Sequence, residues 1–154
     1  MLPRELPRRP TPAKLARATV GETETGDSAG STPARVAVRI AVAEWIAANR
    51  MRDLERLVGL YAPAVSVFGN DRDVARAAVR RDKARTLAQT EELSAGEPTV
   101  VVAPGGRTAS TRVRLRYVTA GRRPGSGEVI RELGWVRMPD GWKIASERDV
   151  AELR

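Results

Sequence analysis

From Ala34 onward apolar residues recur at helical spacing: Val38, Val42, Trp45 and Ile46 share a face, and the segment extends to about Asn49. A first helix is predicted there. Asp53 is positioned as the N-cap or first-turn acid of a second, short helix in which Leu54, Leu57, Val58 and Tyr61 fall together, and Pro63 stops it. Val65, Val67 and Phe68 then read as a short strand ending at the turn Gly69-Asn70. Asp71 or Asp73 is placed to cap a third helix through about Ala88, whose apolar positions Val74, Ala77, Ala78, Ala84 and Leu87 are modest. Arg72, Arg76 and Arg80 make an i, i+4, i+8 row along its solvated side.

Beyond that helix the hydrophobic period shortens to every second residue. Thr99 to Val102 is β-branched throughout, and Pro104-Gly105-Gly106 is a turn. Ala109, Thr111, Val113, Leu115 and Tyr117 then alternate strictly with Ser110, Arg112, Arg114 and Arg116, which makes one face of the strand apolar and the other cationic. After the Gly/Pro turn from Gly121 to Gly127 comes a strand with Val129, Arg131, Leu133 and Trp135 on one face and Glu132, Gly134 and Val136 on the other. A turn at Pro139-Asp140-Gly141 leads to Trp142 and Ile144 alternating with Lys143 and Ala145. Three helices followed by a long antiparallel meander predict an α+β domain whose helices cover one side of a curved sheet.

Residues 1–33 hold Pro3, Pro7, Pro10, Pro12 and Pro33 and a polar stretch from Gly21 to Thr32, so they read as a disordered arm before a domain spanning 34–154. A length of 154 residues with 42% hydrophobic and 30% charged content suits one globular domain. The chain has neither histidine nor cysteine, which removes Ser-His and Cys-His nucleophiles, disulfides and thiol switches. The same absence removes zinc ligation, and no phosphate-binding or cofactor motif is recognised, because Gly105-Gly106 lies between strands and not before a helix N-terminus. The net charge of +8 comes mostly from arginine, with Lys14, Lys83 and Lys143 the only lysines. Arginine excess in an Ala-rich chain is equally explained by codon composition, and aromatic stacking platforms are few, so nucleic acid is not the expected partner. No segment approaches the roughly 20 apolar residues of a membrane span. The first residues lack the apolar core of a secretory signal, and a cytoplasmic location is expected.

The run from Trp45 to Pro63, with Asp53-Leu54 and Leu60-Tyr61-Ala62-Pro63, and the closing Asp140-Gly141-Trp142-Lys143-Ile144-Ala145-Ser146-Glu147-Arg148-Asp149 together resemble the nuclear transport factor 2-like superfamily, in particular its SnoaL-like bacterial members. The resemblance covers about residues 34–150 and also takes in Arg76 to Lys83 and Gly127 to Leu133. It implies a cone: a strongly bent antiparallel sheet wrapped around three N-terminal helices and an internal cavity. It further implies a homodimer contact on the outer sheet face, where the Arg112, Arg114 and Arg116 row and its acidic neighbours suit a two-fold interface. The superfamily includes isomerases, dehydratases, hydrolases, cyclases, transport factors and non-catalytic modules, so the fold alone does not assign chemistry. Two departures speak against ketosteroid-isomerase-like and dehydratase-like chemistry: the missing histidine, and Ala64 where many relatives carry an acid.

Strand parity, and for Tyr61 the apolar face of the second helix, places Tyr61, Val113, Leu115, Tyr117, Arg131, Leu133, Trp135 and Trp142 as the candidate cavity lining. Arg131, a cation on an apolar face, offers two parallel donors to a carboxylate or phosphate, or snorkels at a strand end. The tyrosines suit buried hydroxyls or oxyanion donors, and the tryptophans suit core filling or stacking on a flat ligand. Glu128 and Glu132 are expected to pair with the arginines of the outer face, and Glu147 to tie the last strand to its neighbours. The expected function is a small-ligand-binding and dimerisation module with a mostly apolar cavity and no assigned catalysis. The alternatives are a metal-independent SnoaL-like isomerase, cyclase or hydrolase working through a carboxylate and a tyrosine, and an accessory interaction domain of a larger multidomain system.

Overall fold

A computed structural model describes residues 32–121 and 124–153. The arm expected over 1–33 lies outside the described residues except for 32 and 33, which are already helical. Helix α1 covers 32–50 and buries Val38, Val42 and Trp45 on one face, as their spacing requires. Helix α2, Leu54–Gly59, begins where the Asp53 side chain accepts a hydrogen bond from the Arg56 backbone N–H at 3.1 Å.

Strand β1, Ala64–Phe68, turns at Gly69-Asn70 into β2, Asp71–Ala75, and the two pair antiparallel from Ala64 opposite Ala75 to Phe68 opposite Asp71. This corrects the expected third helix: Asp71, Arg72 and Asp73 are strand residues, and helix α3 runs Arg76–Gln89 with Ala75 as an N-cap that makes no side-chain bond. Val74 fits either period, so the hairpin turn decides the structure there. Along α3 the buried stripe is Val79, Lys83 and Leu87, one turn apart, whereas Ala77 and Ala84 are exposed.

Strand β3, Thr90–Ala95, follows directly and was not foreseen, since its acidic sequence has little strand character. Strands β4 (Thr99–Val102), β5 (Thr108–Thr119), β6 (Gly125–Met138) and β7 (Gly141–Leu153) complete a curved, unclosed sheet in the order β2-β1-β7-β6-β5-β3, with β4 also on β5. The β4–β5 turn uses Gly105 and Gly106 at φ 94° and 71°, values that glycine adopts without strain. The sheet is not wholly antiparallel: β1 runs parallel to β7, with Val67 opposite Ser146. On β5 the expected parity holds, with Thr111, Val113 and Leu115 buried and Arg112, Arg114 and Arg116 exposed. The inner residues Val113, Leu115, Val129, Leu133, Trp135 and Ile144 share one core with Val38, Val42 and Trp45 of α1, Leu57 of α2, and Val79 and Leu87 of α3. Each such aliphatic side chain contributes about 1.5–3 kcal/mol on full burial.

Candidate functional site

The site is organised by two irregularities in the last ladder. The β6–β7 register shifts between Gly134 and Trp135 and again between Ile130 and Arg131, which leaves Ala145 and Val150 of β7 without opposite numbers. As a result Ile144, Glu147, Asp149 and Glu152 lie opposite Trp135, Leu133, Arg131 and Val129, all inward-facing partners. Simple alternation from Ile144 would have turned Glu147 outward. A row of carboxylates therefore runs along the inner face, from a buried Glu147 to an exposed Glu152.

Glu147 is 5% exposed and is met by donors from α3, from β6 and from the segment that joins α2 to β1. The Tyr61 hydroxyl donates to Oε1, and Lys83 Nζ donates to Oε2 at 2.6 Å. Arg131 Nη1 stands 3.6 Å from the same Oε2. The Tyr61 oxygen in turn accepts from Trp45 Nε1 at 3.0 Å, so the network reaches α1. Lys83 Nζ lies 5.4, 5.6 and 6.0 Å from the ring centroids of Phe68, Tyr61 and Trp45, distances at which the rings stabilise its charge. Arg131 completes the group with a two-pronged contact to Asp149, Nε to Oδ1 at 2.7 Å and Nη2 to Oδ2 at 3.2 Å. Two cations thus balance two carboxylates.

Burial by itself would raise the Glu147 carboxyl. The Lys83 charge, the Arg131 charge and the hydrogen bonds from Lys83 and Tyr61 outweigh it and hold the group below its ordinary value. Burial likewise pushes the Tyr61 phenol well up, and the neighbouring Glu147 charge reinforces this, so Tyr61 stays a neutral donor. Burial would lower Arg131, but Glu147 and then Asp149 more than compensate and its guanidinium stays charged.

Beside this cluster, between α3, β3 and the inner face of β5 to β7, lies a cavity of about 190 Å3. Leu87, Leu93, Leu115 and Val129 make its apolar floor. Asn49, Tyr117, Arg131, Asp149 and Glu152 bring polar groups to its wall. Of the residues expected to line a cavity, Leu115, Tyr117 and Arg131 do so. Val113, Leu133 and Trp135 are packed in the core, with Trp135 Nε1 satisfied by Thr111 Oγ1 at 3.0 Å, and Trp142 is partly buried against it. Tyr61 sits in the ionic cluster instead. Arg131 and Glu147 also border an open cleft with Phe68, Asn70 and Asp82.

Sequence reasoning missed Lys83 and Glu152. The signal for Lys83 was present: it stands four residues from both Val79 and Leu87, inside an apolar stripe. Glu152 carried no such signal, because its orientation depends on the second bulge. On the outer face Glu132 accepts from both Arg112 (2.9 Å) and Arg148 (3.0 Å), and Glu128 accepts from Arg116 (3.0 Å). Among the described residues, no group of His, Cys, Asp or Glu is arranged to hold a metal ion, and no helix is long and apolar enough to cross a membrane.

A curved, unclosed sheet over helices, with a polar-rimmed cavity on its inner face, defines the class of nuclear transport factor 2-like α+β domains. The chain belongs to the SnoaL-like domain family, whose sequence model matches residues 38–148. No curated protein matches it. Among solved structures it is similar to a candidate dehydratase of the nuclear transport factor 2-like family from Streptomyces avermitilis, at 25% identity and a TM-score of 0.61, over 75% of this chain and 93% of that one. A nuclear transport factor 2-like superfamily protein from Salmonella enterica is similar at 10% identity and a TM-score of 0.66, over 80% and 94%. A ketosteroid isomerase-like protein from Erwinia carotovora is similar at 11% identity and a TM-score of 0.63, over 76% and 96%. The last two likenesses are of fold alone.

Proposed function

We propose that this domain binds a small, largely apolar molecule of one ring, bearing hydrogen-bonding substituents, and that it has no assigned catalysis. In this view the sheet forms a cone around the helices and the cavity is its open end. The observation that carries the proposal is the cavity of about 190 Å3, whose aliphatic floor of Leu87, Leu93, Leu115 and Val129 is ringed by polar groups that include Thr86, Gln89, Thr90 and Thr119. An apolar cavity of roughly 150 Å3 accepts benzene, so this space suits a single substituted ring. Arg131 is already engaged by Asp149 and Glu147, so a carboxylate ligand has to displace an internal one. Neutral ligands, or ligands that donate hydrogen bonds to Asp149 and Glu152, are favoured.

A catalytic role is the second reading. It draws support from the contact between Tyr61 and Glu147, a carboxylate beside a phenol, and from the dehydratase and isomerase-like relatives. Against it, both Glu147 oxygens already accept from strong donors, its carboxyl is held ionised, and neither residue borders the cavity. A fixed ionic clamp fits these facts better than a general base, which needs a pKa near the working pH and reach to the substrate.

The test is a panel of single-ring probes (phenol, cyclohexanol, benzamide) followed by ligand-detected NMR and thermal shift. Binding to the wild type, lost in a folded Leu93→Trp variant that fills the cavity, supports the proposal. Probes that all fail, or that bind Leu93→Trp equally well, refute it. Dimerisation through the outer face is a separate part of the proposal, resting on Arg114. That side chain stands opposite Ile130 without an ion-pair partner among the described residues, while its neighbours pair within one chain. Sedimentation equilibrium that finds a monomer at every concentration removes this part.

A further inference from the structure

We infer that Tyr117 is the end wall of the cavity and sets the size of ligand it admits, an inference that rests on the ligand-binding proposal above. Tyr117 on β5 stands directly opposite Gly127 on β6. A Cβ added at Gly127 would lie 2.6 Å from Cζ and 3.1 Å from Cε1 of that ring, distances real Cβ atoms hardly ever show. The phenol therefore lies over the glycine, in space only a missing side chain provides.

The ring also borders a second, open space of about 350 Å3, lined by Ser126, Gly127 and Leu153 as well. Tyr117, Val129 and Glu152 border both spaces, and Tyr117 is the only aromatic of the three. Its hydroxyl has no hydrogen-bond partner among the described residues, so packing on Gly127 and not a polar tether holds the ring in place. Rotation about χ1 moves the ring between staggered wells and off the glycine, which joins the two spaces. With the ring in place the cavity takes one ring; with it removed, two fused rings or a ring carrying a short chain.

The test measures binding of phenol and 2-naphthol to the full chain by titration calorimetry, in the wild type and in Tyr117→Phe, Tyr117→Leu and Tyr117→Ala. Tyr117 is half-buried at a strand end, and circular dichroism checks each variant's fold. The wild type and Tyr117→Phe are expected to prefer phenol. Tyr117→Ala is expected to shift the phenol-to-naphthol affinity ratio about tenfold toward naphthol, the scale on which pockets discriminate by size. Tyr117→Leu keeps an apolar strand residue and shifts the ratio in the same direction, which covers the case in which Tyr117→Ala fails to fold. If the wild type binds phenol and neither truncation moves the ratio, the wall assignment is overturned and the ligand-binding proposal stands. If no variant binds either probe, both fall.

Discussion

Replacing Glu147 by Gln keeps the shape of the side chain and removes its charge. Lys83 Nζ, on a side chain only 3% exposed, then faces a neutral amide, and Glu147 was its one ion-pair partner among the described residues, while Asp149 is taken by Arg131. The amide can present its oxygen to Tyr61 or to Lys83 but not to both; turned one way its NH2 group meets the Lys83 ammonium, a donor only, and turned the other way it competes with Trp45 Nε1 for the Tyr61 oxygen. Removing one partner of a buried pair costs about 3–5 kcal/mol, because the other charge is left uncompensated. The attraction of Lys83 to three ring faces offsets part of this and places the expectation near the lower end, at about 3 kcal/mol. Such a loss is a large share of the roughly 5–15 kcal/mol that holds a domain together. Urea unfolding of Glu147→Leu, of Lys83→Met and of the double variant Glu147→Leu/Lys83→Met gives the coupling, and Glu147→Gln adds the single change that keeps the shape. Each single change is expected to cost several times more than a surface substitution. The double variant is expected to cost less than the sum, because apolar replacements of similar volume relieve both stranded charges. A single-variant loss below about 1 kcal/mol, or strict additivity, refutes the view that Glu147 and Lys83 act as one buried unit.

Three further outcomes follow from the same geometry. Because the folded-state pKa of Glu147 lies below its ordinary value of 4.5, the stability it contributes is complete above that value and is lost as pH falls through the lower, folded one; urea midpoints from pH 7 to pH 3 should drop in the wild type and flatten in Glu147→Gln, and parallel profiles contradict this. Tyr61→Phe removes the oxygen that joins Trp45 Nε1 to Glu147, leaving buried polar groups unsatisfied at about 1–3 kcal/mol and altering the emission of the buried indole; unchanged stability and emission contradict it. Arg112→Ala breaks an exposed rung of the outer ladder whose acid keeps Arg148, so its effect on the unfolding midpoint should stay within about 0–1 kcal/mol.

Much of the architecture was legible where periodicity was strong. Asp53, read as N-cap or first-turn acid, is the N-cap, and the helix around Trp45 and the two faces of β5 each followed from spacing that admits one interpretation. The segment 71–75 did not, because the same Arg72 and Val74 fit a helix start or an edge strand, and the turn geometry decided between them. β3 was hidden by polar composition, its place set by pairing with β5 alone. For the site, Arg131 and Tyr117 were read from parity and found on the cavity wall, whereas the ionic cluster was not anticipated. Its centre, Glu147, faces inward only because Ala145 is an extra residue, and a two-residue period cannot count across such an insertion.

The two unmatched residues of β7 have a geometric consequence for the rim. Gly141–Leu153 runs alongside Glu128–Met138 and is the longer path by those two residues, so one border of the ribbon carries surplus length and must curl. Excising Val150 would leave each cross-strand partner where it is, yet straighten the border between Asp149 and Glu152. Asp149 and Glu152 both line the cavity, so local chain length shapes that border without exchanging any side chain that lines it.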